Sequence, residues 1–216
     1  MLQKSVSAIH GSSDGGIWIA FYSGDIQHYN ANTHKFTTFP KRLFPNIKNG
    51  IRCIMDDGND HLYIGLRMDG MYVYNLRTKK TKFYSHNPKD EQSLPGNNVR
   101  SICIDHMKNI WVGTNLGLAL FDETSSRFRT FKPQEQNPNS PAGDNIHQIM
   151  EMDNHTLWIA SDLGGISILD LNRYQHPYTE KLSFQRITKE NSGLSSNNTR
   201  RIIQDSFGNV WIGNFS

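Results

Sequence analysis

The sequence predicts an all-β fold, a β-propeller with four four-stranded blades and half of a fifth that forms an incomplete arc of a larger propeller. An aromatic marker residue returns along the 216-residue chain at Trp18, Tyr63, Trp111, Trp158 and Trp211. The markers are 45, 48, 47 and 53 residues apart. Each repeat offers four short strands, and four antiparallel strands at a period near 45 residues are typical of propeller blades.

The four strands of a repeat differ in their patterns. The first alternates apolar residues, as at Ile51, Cys53 and Met55, and the second carries the marker and ends in Gly or Ala. The third strand follows a turn glycine: Gly24, Gly70, Gly117 or Gly165. The fourth is a short element at Phe36–Phe39, Phe128–Phe131 or Phe184–Ile187, less regular at Phe83–Tyr84. Gly, Asn and Asp stand where tight hairpins need positive φ or side-chain turn bonds, and no stretch shows helical periodicity.

These patterns place one propeller segment over residues 1–216. The blades are predicted at about 5–40, 49–86, 97–134 and 144–190, with a half blade at 198–216. Polar connectors rich in Pro and Asn separate them, and an extra loop at 173–182 lengthens the last spacing. A propeller closes by pairing its ends, and a half blade leaves an apolar face and a strand edge bare. We therefore expect the chain to be a fragment of a longer propeller.

Charge, hydropathy and cysteine content exclude several classes of protein. The chain has 23 basic and 20 acidic residues, a formal charge of +3, which is too mild to predict a nucleic acid or an anionic membrane surface as partner. No segment approaches the roughly 18 consecutive apolar residues of a membrane helix, and the first residues lack a signal-peptide pattern. Cys53 and Cys103 fall in sheets expected ~10 Å apart, beyond the roughly 7 Å limit for a disulfide, so both are predicted free and buried.

One repeat carries a recognisable motif. Residues 97–118 fill the pattern Asn-x-Val-Arg-x-Ile-x-x-Asp-x-x-x-Asn-Ile-Trp-x-Gly-Thr-x-x-Gly-Leu, which closely resembles the two-component regulator propeller repeat. The copy at 199–213 matches equally well, and the resemblance extends over nearly the whole chain. In that family such repeats build the periplasmic sensor of hybrid two-component systems, common in gut Bacteroidetes. Those sensors typically detect oligosaccharides and switch on polysaccharide-utilisation genes.

The resemblance implies a division of labour within a longer receptor. The family's sensors continue into more blades, an immunoglobulin-like domain, a membrane helix, a histidine kinase and a response regulator, none of which these residues encode. The chain is then expected to be non-enzymatic and periplasmic, the sensor part of an inner-membrane protein. Its expected partners are an oligosaccharide or another polar small ligand and, in the full-length receptor, a second copy in a homodimer. No cofactor is expected.

Candidate ligand-binding residues recur at one position of the repeat. The second residue of the first strand is basic in four consecutive units: Arg52, Arg100, His147 and Arg200. An asparagine stands two residues before three of them: Asn98, Asn145 and Asn198. In a propeller the first strand lines the central channel, so these residues should ring its mouth. Arg forks suit carboxylate or sulfate, and Asn suits sugar hydroxyls. Alternatively, the Arg side chains pair with acidic groups or carbonyls, and Asn only turns the chain into the strand.

Two alternatives to ligand sensing remain open. Propellers of the streptogramin-lyase type share the Asp-x-x-Gly-x-Ile-Trp turn, so a lyase or hydrolase would act at the same channel with His147 handling the proton. A protein-interaction scaffold is the other.

Other motifs predict neither a catalytic nor a metal site. Gly11–Gly15 fits G-x-S-x-G but falls in a hairpin rather than the strand-to-helix turn of a nucleophile elbow. Asp56–Asp60 has the oxygen-rich look of a calcium loop but lacks the distal Glu. The nine histidines form no H-E-x-x-H and the two cysteines no C-x-x-C, and no carboxylate pair has the placement of an acid and a base.

Overall fold

The computed structural model describes residues 5–215, which form eighteen β-strands and two short 3₁₀-helices. The strands lie in four four-stranded antiparallel sheets and one two-stranded sheet, so the predicted propeller blades are confirmed. Contacts divide the chain into two compact units, the first containing the residues up to 86 together with 96–102, and the second containing 87–95 and the residues from 103 onward. Within the described range no helix has the length and apolar character needed to cross a membrane.

The first unit holds the first two blades. In each blade, spatial order follows chain order. The strands are β1 (Val6–Gly11), β2 (Ile17–Phe21), β3 (Ile26–Asn30), β4 (Lys35–Phe39), β5 (Ile51–Asp56), β6 (His61–Leu66), β7 (Met71–Asn75) and β8 (Thr81–Tyr84). A 3₁₀-helix, Lys41–Leu43, lies in the connector. One buried core contains Trp18, Ile26, Ile51 and Ile64 from the strands and Phe44 from the connector. The strand residues reach it because alternate residues of a strand point to the same face of the sheet.

The other blades follow the same order of strands. They consist of β9 (Val99–Ile104), β10 (Ile110–Thr114), β11 (Gly117–Asp122), β12 (Arg127–Phe131), β13 (Ile146–Glu151), β14 (Thr156–Ser161), β15 (Gly165–Asp170), β16 (Gln185–Ile187), β17 (Thr199–Gln204) and β18 (Val210–Asn214). A second 3₁₀-helix, Leu171–Arg173, begins the extra loop. The core of the second unit includes Trp111, Leu118, Leu120, Ile146 and Leu169.

The aspartate of the repeat motif fixes the turn between the first two strands. Asp105 accepts hydrogen bonds from the backbone N–H of Asn109 at 2.8 Å, from its side-chain amide at 2.9 Å and from the indole N–H of Trp111 at 2.9 Å. Buried indole N–H groups normally need such a partner. The spacing Asp-x-x-x-Asn-x-Trp therefore follows from one carboxylate that satisfies both the turn and the marker residue.

The other tryptophans vary this arrangement. Trp211 donates to Asp205 at 2.9 Å, as Trp111 does to Asp105, but Trp158 donates to Thr156 at 3.0 Å. Trp18 reaches Asp56 of the next blade at 2.7 Å, which ties two blades of the first unit together. Trp18 and Trp111 are thus buried packing residues, as predicted, whereas Trp211 is 62% exposed. Each of the four tryptophans has its indole N–H satisfied.

Two turn glycines are required by their geometry. Gly70 has φ +106°, and a Cβ there would lie 2.3 Å from the carbonyl oxygen of Tyr84. Gly165 has φ +75°, with the carbonyl oxygen of Ile187 at 2.4 Å. Only glycine combines this backbone conformation with so close an approach, so the predicted hairpin turns into the third strands are confirmed.

Both cysteines are free, as predicted, but only one of them is buried. Burial raises the pKa of the Cys103 thiol to about 12, which keeps it unreactive at neutral pH. Cys53 was also expected to be buried, and this was wrong, since its side chain is half-exposed. Cys53 directly follows an irregularity in the register of β5, which interrupts the alternation on which the expectation rested.

The exposed copy of the Asp–Asn–Trp turn gives a pH prediction. The Trp211 and Asn209 side chains donate to Asp205 and lower the pKa of this carboxyl to about 2. Because the pKa in the folded chain lies below the unfolded value of ~3.9, the ionised carboxylate stabilises the turn above that value, and this contribution is lost as pH falls through about 2. We expect an NMR titration of Asp205 to show a midpoint near 2, and Trp211→Phe to raise it. Trp158→Phe, which removes an indole bonded to Thr156, should leave that midpoint unchanged.

Candidate functional site

Three of the four basic residues of the first strands lie at β-bulges. The antiparallel register with the following strand shifts between Ile51 and Cys53 in β5, between Ile146 and Gln148 in β13, and between Thr199 and Arg201 in β17. Arg52, His147 and Arg200 are therefore each the extra residue of a bulge. Bulges bend a strand and re-aim a side chain, and they are common beside binding sites.

Two of these bulged residues meet at one carboxylate in the second unit. His147 Nε2 lies 2.9 Å from Asp162 Oδ2, and Arg200 Nη2 lies 3.2 Å from Asp162 Oδ1. The side-chain amide of Asn145 also donates to Asp162 Oδ2, at 2.6 Å. We refer to Asn145, His147, Asp162 and Arg200 as the Asp162 cluster. The sequence predicted three of these four residues.

The hydrogen-bonding needs of the Asp162 cluster conflict. Arg200 Nη1 lies 2.5 Å from the same His147 Nε2 that faces Asp162. A guanidinium can only donate and a carboxylate can only accept, while one imidazole nitrogen either carries a proton or offers a lone pair. Nε2 therefore cannot satisfy both neighbours at once. A ligand that drew Arg200 away from His147 would relieve this conflict.

Exposure within the Asp162 cluster rises from His147 to Arg200. Side-chain exposure is 7% for His147, 18% for Asp162 and 39% for Arg200. The Arg200 guanidinium also lies 5.5 Å from the centre of the Phe215 ring. A cation stacked on an aromatic ring and reachable from solvent suits a flat anionic group or a sugar ring. The arrangement can therefore bind a polar ligand through Arg200 with His147 behind it.

The remaining predicted residues occupy both units. Arg52 on β5, Asn98 before β9 and Arg100 on β9 belong to the first unit, are partly buried and make polar contacts of their own. Asn198 belongs to the second unit, where its backbone carbonyl accepts from the N–H of Phe215 at 2.9 Å. This bond is made by the backbone and does not depend on the asparagine side chain.

Asp162 is not among the residues predicted from the sequence. Its backbone N–H donates to the carbonyl of Asn145 at 3.0 Å. The equivalent backbone bond is made by Phe215 in the half blade and by Arg67 in the second blade. Among these equivalent residues Asp162 alone is acidic. The repeat in which histidine replaces arginine also carries this acidic residue, and this combination was the signal available in the sequence.

A surface pocket in the first unit is a weaker candidate. It is lined by Trp18, His28, Asp14 and Asp56, among others. Asp56 already accepts from the Trp18 indole at 2.7 Å, and His28 lies 3.3 Å from Asp14. Because these polar groups already satisfy one another, the pocket offers a ligand little beyond shape.

Two comparisons by sequence relate the chain to two-component regulators and to a histidine kinase. The family described as two component regulator propeller matches residues 93–116 and 193–216. A protein named histidine kinase P4 from Formosa agariphila is 27% identical over 209 residues, covering 92% of this chain. The chain spans 14% of that relative's length.

Solved structures show the same fold. The extracellular domain of the hybrid two-component system BT3049 from B. thetaiotaomicron is 32% identical over 99% of this chain, with a TM-score of 0.74, and the chain spans 26% of it. PorZ from Porphyromonas gingivalis, an essential component of the type-IX secretion system, has a TM-score of 0.72 at 18% identity over 97% of this chain and 31% of its own, a likeness of fold alone. Two stretches of the chain therefore match the two-component regulator propeller repeat, and the chain has a β-propeller fold, which confirms the resemblance seen in its sequence.

Proposed function

We propose that the chain is a ligand-sensing segment of the extracytoplasmic propeller of a hybrid two-component receptor, and that its ligand is an anionic or otherwise polar oligosaccharide. The observation that carries the proposal is the Asp162 cluster, in which two β-bulges aim His147 and Arg200 at one carboxylate. In this proposal the kinase and the membrane anchor belong to other parts of the full-length receptor, which forms a homodimer. The periplasm is the compartment that fits this arrangement.

The chemistry of the Asp162 cluster supports an anionic ligand. Arg200 presents a fork of donors that can grip carboxylate or sulfate with two parallel hydrogen bonds. Asp162 occupies part of that fork and acts as an internal counter-ion in the absence of ligand. A uronic acid or a sulfated sugar would compete with Asp162 for Arg200 and leave His147 to pair with the carboxylate.

Two features support a sensor over the enzymatic alternative. The matching repeats and the similar solved domain both carry the names of two-component regulators. His147 Nε2 is held between an acid and a cation, Asp162 and Arg200, which form an ionic cluster suited to recognising charge. A polar cluster of this kind can bind and discriminate without turning over its ligand.

Calorimetric titration of the chain with matched saccharides tests the proposal. We expect uronic-acid or sulfated oligosaccharides to bind and their neutral counterparts of the same length to bind at least tenfold more weakly. Raising the salt from 50 to 500 mM should weaken the anionic ligands selectively, since exposed charges are screened over about 10 Å at 0.1 M. Equal binding of charged and neutral sugars would contradict the assignment. Turnover that is lost in His147→Ala would favour a lyase or hydrolase, and a stable complex with a protein that saccharides do not affect would favour a scaffold.

A further inference from the structure

A second group of side chains converges where two hairpin turns of the second unit meet. His106 lies in the turn between β9 and β10, Glu151 ends β13, and His155 lies in the turn between β13 and β14. Their ligating atoms all lie within 4.8 Å of one another. We propose that His106, Glu151 and His155 bind a divalent transition-metal ion of the Zn²⁺ type.

The distances are close to those of a coordination sphere. The Nδ1 atoms of His106 and His155 lie 2.5 and 3.1 Å from the same oxygen, Glu151 Oε1. Zn–N and Zn–O bonds of 2.0–2.2 Å place neighbouring ligand atoms about 3 to 3.5 Å apart. Small side-chain rotations would therefore admit the ion between the two nitrogens and the oxygen. The imidazole rings, 3.9 Å apart and tilted by 31°, already direct both nitrogens to one point.

The backbone holds this arrangement in place. Glu151 Oε2 accepts the backbone N–H of His106 at 2.8 Å, which leaves Oε1 directed at the two rings. Hydrogen bonds of this kind orient the ligands of metal sites and tune their basicity. His155 takes the left-handed turn conformation, φ +58°, at the position that Lys108 and Gly208 hold in other hairpins. The geometry of the turn, and not a flexible loop, therefore sets the direction of the second imidazole.

The ligand types select the class of metal. Imidazole nitrogen suits Zn²⁺, Cu²⁺, Ni²⁺ and Fe²⁺, whereas Ca²⁺ and Mg²⁺ prefer oxygen ligands only. Three protein ligands leave at least one position for water or for a group from a partner, as in open zinc sites. The side chains of His106, Glu151 and His155 are 35%, 16% and 47% exposed, so an ion can reach them from solvent.

Neither the adjacent residues Cys103 and Asp105 nor the Asp162 cluster belongs to this metal site. The nearby Cys103 thiol is buried and is not one of the side chains whose ligating atoms converge here. Asp105, next to His106, is already bonded to Asn109 and Trp111. Glu151 and His147 are four residues apart on β13, which corresponds to about 13 Å along a strand. Metal binding and saccharide binding therefore use different ends of this strand and can be tested independently.

The spacing of these residues along the chain does not indicate a metal site. His155 follows Glu151 by four residues, but His106 precedes it by 45, a spacing that belongs to no metal motif. Only the stacking of one repeat beside the next brings His106 to the other two. The expectation that the histidines hold no metal was based on local spacing. Local spacing cannot reveal a site whose ligands come from two different repeats.

Titration of the metal-free chain with Zn²⁺ tests the proposal. We expect one equivalent to bind, Co²⁺ to give the absorption bands of a low-symmetry nitrogen–oxygen site, and Ca²⁺ and Mg²⁺ to give no response at the same concentration. Zn²⁺ at a hundredfold excess over its Kd should raise the melting temperature by about 5 °C, because the ion binds only the folded hairpins.

Two variants and a control complete the test. His106→Ala with His155→Ala, and separately Glu151→Gln, should weaken Zn²⁺ binding by at least the roughly 10–100-fold typical of groups outside the coordination sphere. Glu151→Gln keeps the shape of the side chain and so guards against a folding defect in the double variant. His61→Gln is the control, because His61 also follows an acid by four residues, at 3.3 Å from Asp57, but has no second imidazole beside that acid within the described residues. Absence of Zn²⁺ binding, or equal binding by the double variant and the His61 control, would overturn the proposal.

Discussion

Trp111→Ala is expected to lower the free energy of unfolding of the second unit by about 4 kcal/mol, the middle of the range for truncating a buried aromatic. The Trp111 side chain is 0% exposed and lies in the core with Leu118, Leu120 and Ile146. Its removal leaves a cavity and also takes one hydrogen-bond donor from Asp105, which is 2% exposed. Whole domains are stable by only about 5–15 kcal/mol, so this single change should bring the unit close to unfolding at 37 °C.

The chain offers its own control for this substitution. Trp211 occupies the same position of its repeat and donates to Asp205 at the same 2.9 Å, but its side chain is 62% exposed. Trp211→Ala should therefore cost only a small fraction of the loss at Trp111. Urea unfolding followed by circular dichroism measures both. Equal losses would mean that the hydrogen bond to the motif aspartate, and not burial, is what the marker residue contributes.

A third variant separates the two contributions at Trp111. Trp111→Phe keeps most of the ring but removes the N–H donor to Asp105. Asp105 keeps its hydrogen bonds from Asn109, and the bond that is lost, one to a charged group, contributes about 1.5–3 kcal/mol, so this variant should fall between the wild type and Trp111→Ala. If Trp111→Phe were as unstable as Trp111→Ala, the size of the ring would matter less than the bond.

The regular parts of the fold could be predicted because they depend on local chemistry. A turn glycine and an alternating strand are each recognisable within a short window of sequence, and an aromatic residue recurs every 45 to 53 residues. The hairpins around Gly70 and Gly165 and the packing of Trp111 followed from such windows. The role of Asp105 was present in the motif as well, but its carboxylate could be assigned only once the indole N–H was seen to need a buried acceptor.

The candidate site was only partly predictable because it depends on irregularity and on distance along the chain. The basic residue of the first strand was visible, but the bulge that re-aims it is a shift of register that side-chain pattern does not reveal. Asp162 lies 38 residues from Arg200, and nothing local indicates that they meet. The incomplete burial of Cys53, beside the bulge at Arg52, has the same cause.

Arg200→Ala is expected to weaken binding of an anionic saccharide by roughly 100-fold, the loss of about 3 kcal/mol that a charged bidentate contact can supply. Arg201→Ala is the matched control, since Arg201 is the next residue of β17 and is exposed. Calorimetry with the same saccharide should show little change for Arg201→Ala. A similar loss in both variants would indicate a diffuse electrostatic effect and remove Arg200 from the site.

Asp162→Asn should change the same affinity in the opposite direction. The carboxylate lies 3.2 Å from Arg200 and 2.9 Å from His147, so an incoming anion must displace it. The amide keeps the shape of the side chain but removes the competing charge, and we expect anionic saccharides to bind about tenfold more tightly, a gain of 1.4 kcal/mol. Neutral saccharides should gain nothing, because they do not compete with Asp162 for the cation. Tighter binding by Asp162→Asn together with loss in Arg200→Ala would identify Asp162 as the internal counter-ion of a ligand site, whereas weaker binding in both variants would show that the cluster is a structural ion pair.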